Sequence, residues 1–74
     1  MKKVMVVEGM DNLPMGNAVS RILEGMDGVD KVTLNLEEKS VLVEYGRGVF
    51  TEDDLCDAIN EEGFEVAEIF DEGG

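Results

Sequence analysis

Apolar residues recur along the chain with two different periods. Over residues 29–36 they alternate with polar residues, and short apolar runs at 3–8, 41–45 and 64–70 are rich in β-branched or aromatic residues. These four segments predict strands. Between the strands predicted at 3–8 and 29–36, apolar residues stand three or four positions apart, which is the spacing of one helix face. They are Met15, Ala18, Val19, Ile22, Leu23 and Met26.

Capping residues mark the starts of two predicted helices. Asp11 and Asn12 precede the first helix, and their side chains suit the free N–H groups of a first turn. Pro14 is tolerated there because its missing N–H would have no partner within the helix. Thr51 and Asp54 resemble a capping box, and apolar residues follow them at helical spacing. A second helix is therefore expected after Thr51.

The predicted order is βαββαβ, which is an internal pseudo-repeat of two βαβ units. Right-handed crossovers place both helices on one face of a four-stranded antiparallel sheet of order 4-1-3-2. This is the ferredoxin-like α+β fold. We expect residues 1–70 to form a single domain and residues 71–74 to form an acidic flexible tail.

The net charge of the chain limits the kinds of molecule that it can bind. The 74 residues include 6 Lys and Arg against 18 Asp and Glu, so the formal net charge is −12. A polyanion would be repelled, which argues against nucleic acid and anionic membrane as partners. A hydrophobic fraction of 43% still favours a folded globular chain. No targeting signal or membrane anchor is recognised in the sequence, and we expect a cytoplasmic protein.

The supply of catalytic and metal-binding side chains is small. The chain has no His and one Cys, so it cannot build the usual zinc sites, Cys–His or Ser–His pairs, or an internal disulfide by itself. The glycines beside Arg47 lack the spacing of a phosphate-binding loop. We therefore expect a protein that is not an enzyme.

A set of residues along almost the whole chain stands at a spacing that few small families share. They are Gly9, Met10, Val19, Leu23, Gly28, Val29, Val43, Tyr45, Thr51, Leu55, Ala58, Ile59, Gly63 and Phe64. In these positions the sequence resembles the heavy-metal-associated domain of copper chaperones and heavy-metal-transporting ATPases. The resemblance implies the same fold and a part in heavy-metal handling.

The sequence departs from this family at the metal site. The resemblance assigns a Cys-x-x-Cys pair to positions 12 and 15, where this chain has Asn12 and Met15. In the family two thiolates hold Cu(I), a soft ion that an amide does not bind and that a thioether binds more weakly. The sequence therefore predicts a metallochaperone-like domain without the thiolate pair, acting as a docking or regulatory module.

The alternative is a carrier of Cu(I) or another soft metal ion. It would use the thioethers of Met10 and Met15, with Cys56 or a partner chain as a third ligand. Both methionines are, however, expected in the core, Met10 beneath the loop by resemblance and Met15 at the start of the apolar helix stripe. Cys56 is expected at the edge of a stripe, where acidic neighbours would raise the pKa of its thiol.

Acidic residues are concentrated after Arg47, where no basic residue follows. Such a surface keeps a small protein in solution or docks a partner with a basic face, since opposite charges speed encounter. That partner would be a metal-transporting ATPase or another heavy-metal-associated domain. The predicted docking residues are Asp11, Asn12, Leu13, Pro14, Asp53, Asp54 and Asp57.

The first strand also predicts an apolar patch on the side of the sheet away from the helices. If Met5 and Val7 face the helices, Val4 and Val6 face the open side, where Leu42 of the neighbouring strand joins them. Such a patch is a candidate interaction surface for a partner or for a weak homodimer.

Overall fold

The computed structural model describes residues 1–46 and 48–72, so the predicted break at Arg47 lies outside the described residues. Six elements follow in the predicted order, with boundaries within a residue or two of the expected ones. They are β1 (Lys2–Glu8), α1 (Leu13–Glu24), β2 (Val29–Asn35), β3 (Ser40–Tyr45), α2 (Glu52–Glu61) and β4 (Glu65–Asp71).

The four strands form one antiparallel sheet of order β2-β3-β1-β4. This is the predicted order, and β2 and β3 form an antiparallel hairpin. β1 lies in the centre, between β3 and β4, and a bulge between Val6 and Val7 interrupts its pairing with β4. The ferredoxin-like α+β fold is therefore confirmed.

The core lies between the sheet and the two helices. Along β1, Met5 and Val7 have no exposed surface, whereas Val4 and Val6 are half-buried on the other side of the sheet, as predicted. The remaining fully buried apolar side chains come from the loop after β1, from both helices and from β3. They are Met10, Val19, Leu23, Val41, Val43, Tyr45, Leu55 and Ile59.

Helix α1 approaches β2 closely because Gly16 has no side chain. A Cβ at this position would lie 2.7 Å from Cδ2 of Leu34 and 3.0 Å from Cδ2 of Leu36. Gly16 is buried, together with Val19 and Leu23 of the same helix. The first turn of α1 therefore rests on the end of β2 through its backbone.

A lysine joins three elements at the end of the sheet where β1 begins. Lys3 is 8% exposed, and its ammonium lies 2.8 Å from the Glu52 carboxylate and 2.5 Å from that of Asp71. Hydrogen bonds to Asp71 and Glu52 raise the pKa of Lys3 above its ordinary value. These ion pairs link β1 to the start of α2 and to the end of β4.

Part of the segment that was expected to form a tail belongs to the fold. Asp71 belongs to β4, where it pairs with Lys3, and the Glu72 N–H donates to the Lys2 carbonyl oxygen. The expectation was wrong for these residues because acidic composition alone does not reveal a buried lysine opposite the strand. Residues 73–74 lie outside the described part. Within the described residues, neither helix is long and apolar enough to cross a membrane.

Candidate functional site

The loop between β1 and α1 is held at both of its ends. Gly9 adopts φ 85°, a conformation that favours glycine, and turns the chain out of β1. Met10 then inserts beneath the loop with no exposed surface. At the other end, Oδ1 of Asn12 accepts a hydrogen bond from the Met15 N–H at 3.1 Å and caps α1. The capping prediction at Asn12 is confirmed.

A salt bridge joins this loop to the turn between β2 and β3. Nζ of Lys39 lies 2.8 Å from Oδ1 of Asp11, and the hydrogen bond raises the pKa of Lys39. The Lys39 carbonyl oxygen also accepts a hydrogen bond from the Val7 N–H at 2.9 Å. We call this part of the molecule, which contains residues 9–12 and the turn at 36–39, the loop end.

The first turn of α1 exposes apolar surface at the loop end. Leu13 is 56% exposed and Met15 is 37% exposed, and Pro14 between them is exposed as well. The prediction that Met15 lies in the core was wrong. Gly16, the next residue, makes the contact with β2, and Met15 is left in a turn that the sheet does not cover.

The three sulfur atoms considered as metal ligands are not presented together to solvent. Met10 is fully buried, so an ion from solution would have to displace the loop to reach its thioether. Cys56 lies in the second turn of α2, the helix that begins beside Lys3 at the opposite end of the sheet. Within residues 1–46 and 48–72, no group of three His, Cys, Asp or Glu side chains is arranged to hold a metal ion.

The thiol of Cys56 has a raised pKa, as the sequence predicted. Partial burial is the largest cause, followed by the negative charges of Asp53, Glu52 and Asp57. A thiol in this environment is protonated at neutral pH and is a poor nucleophile and a poor metal ligand.

The acidic residues predicted for docking do not lie beside the loop. Helix α2 begins next to Lys3, so Asp53 and Asp54 stand at the end of the sheet where β1 begins. The loop stands where β1 ends, about 20 Å away along a strand of this length. The sequence-predicted docking set is therefore divided between two ends of the molecule, with Asp57 on the helix between them.

Other acidic residues surround the loop end instead. Glu8 ends β1, and Glu65, its partner residue, begins β4; Glu61 and Glu62 end and cap α2. We call these four residues the acidic rim. Sequence reasoning did not select them, although the predicted topology already placed the end of α2 beside the end of β1.

The charges of the acidic rim destabilise the strand pair and the helix end that carry them. Directly opposed like charges, such as Glu8 and Glu65, destabilise a strand pair. Carboxylates at the last turn of a helix interact unfavourably with its dipole, and α2 carries no basic residue in that turn, which the structure describes in full. The rim therefore concentrates negative charge at the loop end without a local structural benefit.

Comparison with known proteins places the chain among copper chaperones. It is 37% identical over 65 residues to the copper chaperone CopZ of Staphylococcus epidermidis, covering 88% of this chain and 96% of that protein. It is 35% identical over 66 residues to CopZ of Bacillus subtilis, covering 89% and 96%. No family model matches the chain.

Solved structures agree with this result. A copper-binding domain from HMA7, a P-type ATPase, superposes with a TM-score of 0.86 at 29% identity, over 100% of both chains. From the relatives and this shared fold, the chain belongs to the copper chaperone family of heavy-metal-associated domains.

Proposed function

We propose that this domain acts by docking to a partner protein with a basic face, as a docking or regulatory module in heavy-metal handling. The main supporting observation is the apolar first turn of α1, which is exposed at Leu13 and Met15 at the same end of the sheet as the acidic rim. Its relatives are named copper chaperones, which supports a role in metal handling rather than catalysis.

Docking fits the chemistry of the loop better than carriage of Cu(I) on thiolates. The chain has one cysteine, which cannot form a thiolate pair. The side chain of Asn12 is engaged in capping α1, and Met15 has a neutral thioether. The loop is held by the Asn12 cap and by the salt bridge between Asp11 and Lys39. A loop that is already ordered loses little entropy when a partner binds.

Apolar contact and charge have different roles at the proposed docking surface. Leu13, Pro14 and Met15 supply apolar area that a partner can desolvate, and methionine adapts well to irregular surfaces. The acidic rim speeds encounter with a basic face and fixes its orientation. The proposed partner is the soluble domain of a metal-transporting ATPase or another heavy-metal-associated domain. A structural neighbour comes from such an ATPase.

A binding titration against the soluble domain of a copper-transporting ATPase from the same organism tests the proposal. The double variant Leu13→Ser, Met15→Ser removes the apolar anchors and is expected to weaken binding by about tenfold or more. Val49→Ser is the matched control, because Val49 is 47% exposed on the loop before α2, at the other end of the molecule. Equal binding by the anchor variant and the wild-type chain would refute the proposed surface.

Charge-reversal variants identify which acidic residues take part in binding the partner. Glu61→Lys with Glu62→Lys changes the net charge by the same amount as Asp53→Lys with Asp57→Lys, and neither pair removes the α2 capping box. We expect the first pair to weaken binding and the second to leave it nearly unchanged. If only the second pair weakens binding, the partner docks on the first turns of α2, as the sequence alone suggested.

An anaerobic titration with Cu(I) against a chromogenic chelator tests the alternative carrier function. We expect the chelator to retain the copper. Tight stoichiometric binding that Met10→Leu with Met15→Leu abolishes would replace docking by thioether-based carriage, since these substitutions nearly conserve core volume.

A further inference from the structure

The surface proposed for docking contains the positions at which the family resemblance places the metal ligands. Position 12 holds an amide whose oxygen caps α1 at 3.1 Å from the Met15 N–H, and position 15 holds a neutral thioether that is 37% exposed. The 74 residues include one cysteine, Cys56. It lies on α2, where burial and acidic neighbours raise the pKa of its thiol. This surface therefore presents no thiolate to a partner.

Cu(I) moves between two sulfur sites by exchange of ligands. An incoming thiolate bonds to the ion, an outgoing thiolate leaves with both electrons of its bond, and the oxidation state of copper does not change. Each thiolate must come within bonding distance of the ion, so the donor and the acceptor meet through the loops that carry their thiolates. A domain seated on the acceptor's loop excludes the donor from it.

We propose that this domain, when docked, blocks the delivery of Cu(I) to its partner. The inference rests on the proposed function, and it adds that the partner carries an exposed pair of thiolates that receives copper. The turn that docks corresponds to the turn that carries the cysteine pair in the family, so this domain and a member with that pair compete for one face of the partner. Once seated, this domain offers an amide and a thioether, which bind Cu(I) more weakly than a thiolate does. Copper already on the partner therefore stays there.

The size of the domain makes docking exclusive. The domain measures 30 × 26 × 18 Å. Even a transient interface covers roughly several hundred Å² on each partner, which is a large part of one face of such a body. The copper-binding domain that superposes over its whole length has the same fold and therefore a similar size. One acceptor loop has room for one such domain at a time, and concentrations and dissociation constants decide which one is bound.

A transfer assay under anaerobic conditions tests the block. A Cu(I)-loaded copper chaperone with a cysteine pair is the donor, the soluble ATPase domain of the binding titration is the acceptor, and native mass spectrometry follows copper on the acceptor with time. When present at about ten times its Kd for the acceptor, this domain should raise the chaperone concentration that gives half the limiting rate by about tenfold, with the limiting rate unchanged. The double variant Leu13→Ser, Met15→Ser should lose this effect, and Val49→Ser should keep it.

Binding and transfer are measured on the same samples, so the two proposals can fail separately. Binding to the acceptor with unchanged transfer would overturn the block and leave the proposed function standing, whereas absence of binding would overturn both. A lower limiting rate with copper bound to this domain would mean that it takes copper from the chaperone, which also overturns the block. Thermal unfolding midpoints verify that each variant is folded.

Discussion

The two helices of this domain begin in different ways. At the start of α2, Oγ1 of Thr51 accepts from the Asp54 N–H at 3.2 Å, and Oδ2 of Asp54 accepts from the Thr51 N–H at 3.0 Å. Three acidic residues lie in this first turn, where they interact favourably with the helix dipole. Glu52 also pairs with Lys3. The cap, the helix dipole and the ion pair with Lys3 all support the fold at this helix start.

The start of α1 has the Asn12 cap but no acidic residue in its first turn. It exposes Leu13 and Met15 instead, in a chain with 18 Asp and Glu residues. An acidic first turn would add stability at this position, as it does in α2. One helix start therefore stabilises the fold, whereas the other keeps an apolar surface exposed, as the docking proposal requires.

The largest expected effect comes from filling the space that Gly16 leaves beneath α1. Gly16→Val places a branched side chain against Leu34 and Leu36, and overpacking of this kind costs about 2 kcal/mol. Chemical denaturation should show this loss in the free energy of unfolding. Asn17→Val is the control, because Asn17 is exposed and the change there should stay within about 0.5 kcal/mol. Equal losses would mean that α1 does not rest on β2 through Gly16.

Removal of each cap measures how much it stabilises its helix start. Thr51→Ala should lower the free energy of unfolding by about 1–2 kcal/mol, because it removes the hydrogen bond from the Asp54 N–H to Oγ1 and leaves only the bond from the backbone N–H of residue 51 to Asp54. Asn12→Ala removes a single cap hydrogen bond and should cost about 1 kcal/mol or less. Thermal unfolding measures both, at about 4–8 °C per kcal/mol for a domain of this size. A larger loss at Asn12 would reverse our ranking of the two helix starts.

The smallest expected effect is a change in alkaline stability. The pKa of Lys3 is raised in the folded chain, so the unfolded chain loses this proton first, from about pH 10.5 upwards. The stabilising contribution of Lys3 is complete below that pH and falls as the pH rises through the folded-state pKa.

The variant Lys3→Met should therefore lose less stability than the wild-type chain between neutral pH and strongly alkaline pH. Urea denaturation at a series of pH values measures this difference. Lys39→Met is the comparison variant, since its ion pair with Asp11 is exposed. Parallel pH profiles for Lys3→Met and the wild-type chain would show that the ion pairs of Lys3 do not stabilise the start of α2.

The features predicted correctly from the sequence depend on local patterns. Residue alternation and helical spacing predicted the sheet order, and Thr51 and Asp54 predicted the capping box because its members lie three residues apart. The contacts of Lys3 were not predictable in this way. Its partner Glu52 lies 49 residues along the chain, and their contact requires the relative placement of β1 and α2.

The candidate site was predicted only in part for the same reason. Asn12 was recognised as a cap, but Met15 was placed in the core because periodicity does not show how far the sheet extends beneath a helix. The acidic residues were grouped by their order in the sequence. The structure instead separates Asp53 from the loop and brings Glu61 and Glu65 to the loop end, since α2 runs back along the sheet.

The central position of β1 has a consequence for how the chain acquires its structure. β1 pairs with β3 and β4 but not with β2, so the two βαβ halves interleave rather than stand side by side. Neither half can form its part of the sheet alone. During synthesis the second edge of β1 is paired only after β4 has emerged. We expect the amide hydrogens of β1 that bond to β4 to exchange only through global unfolding. We therefore expect the domain to unfold as one cooperative unit despite its internal repeat.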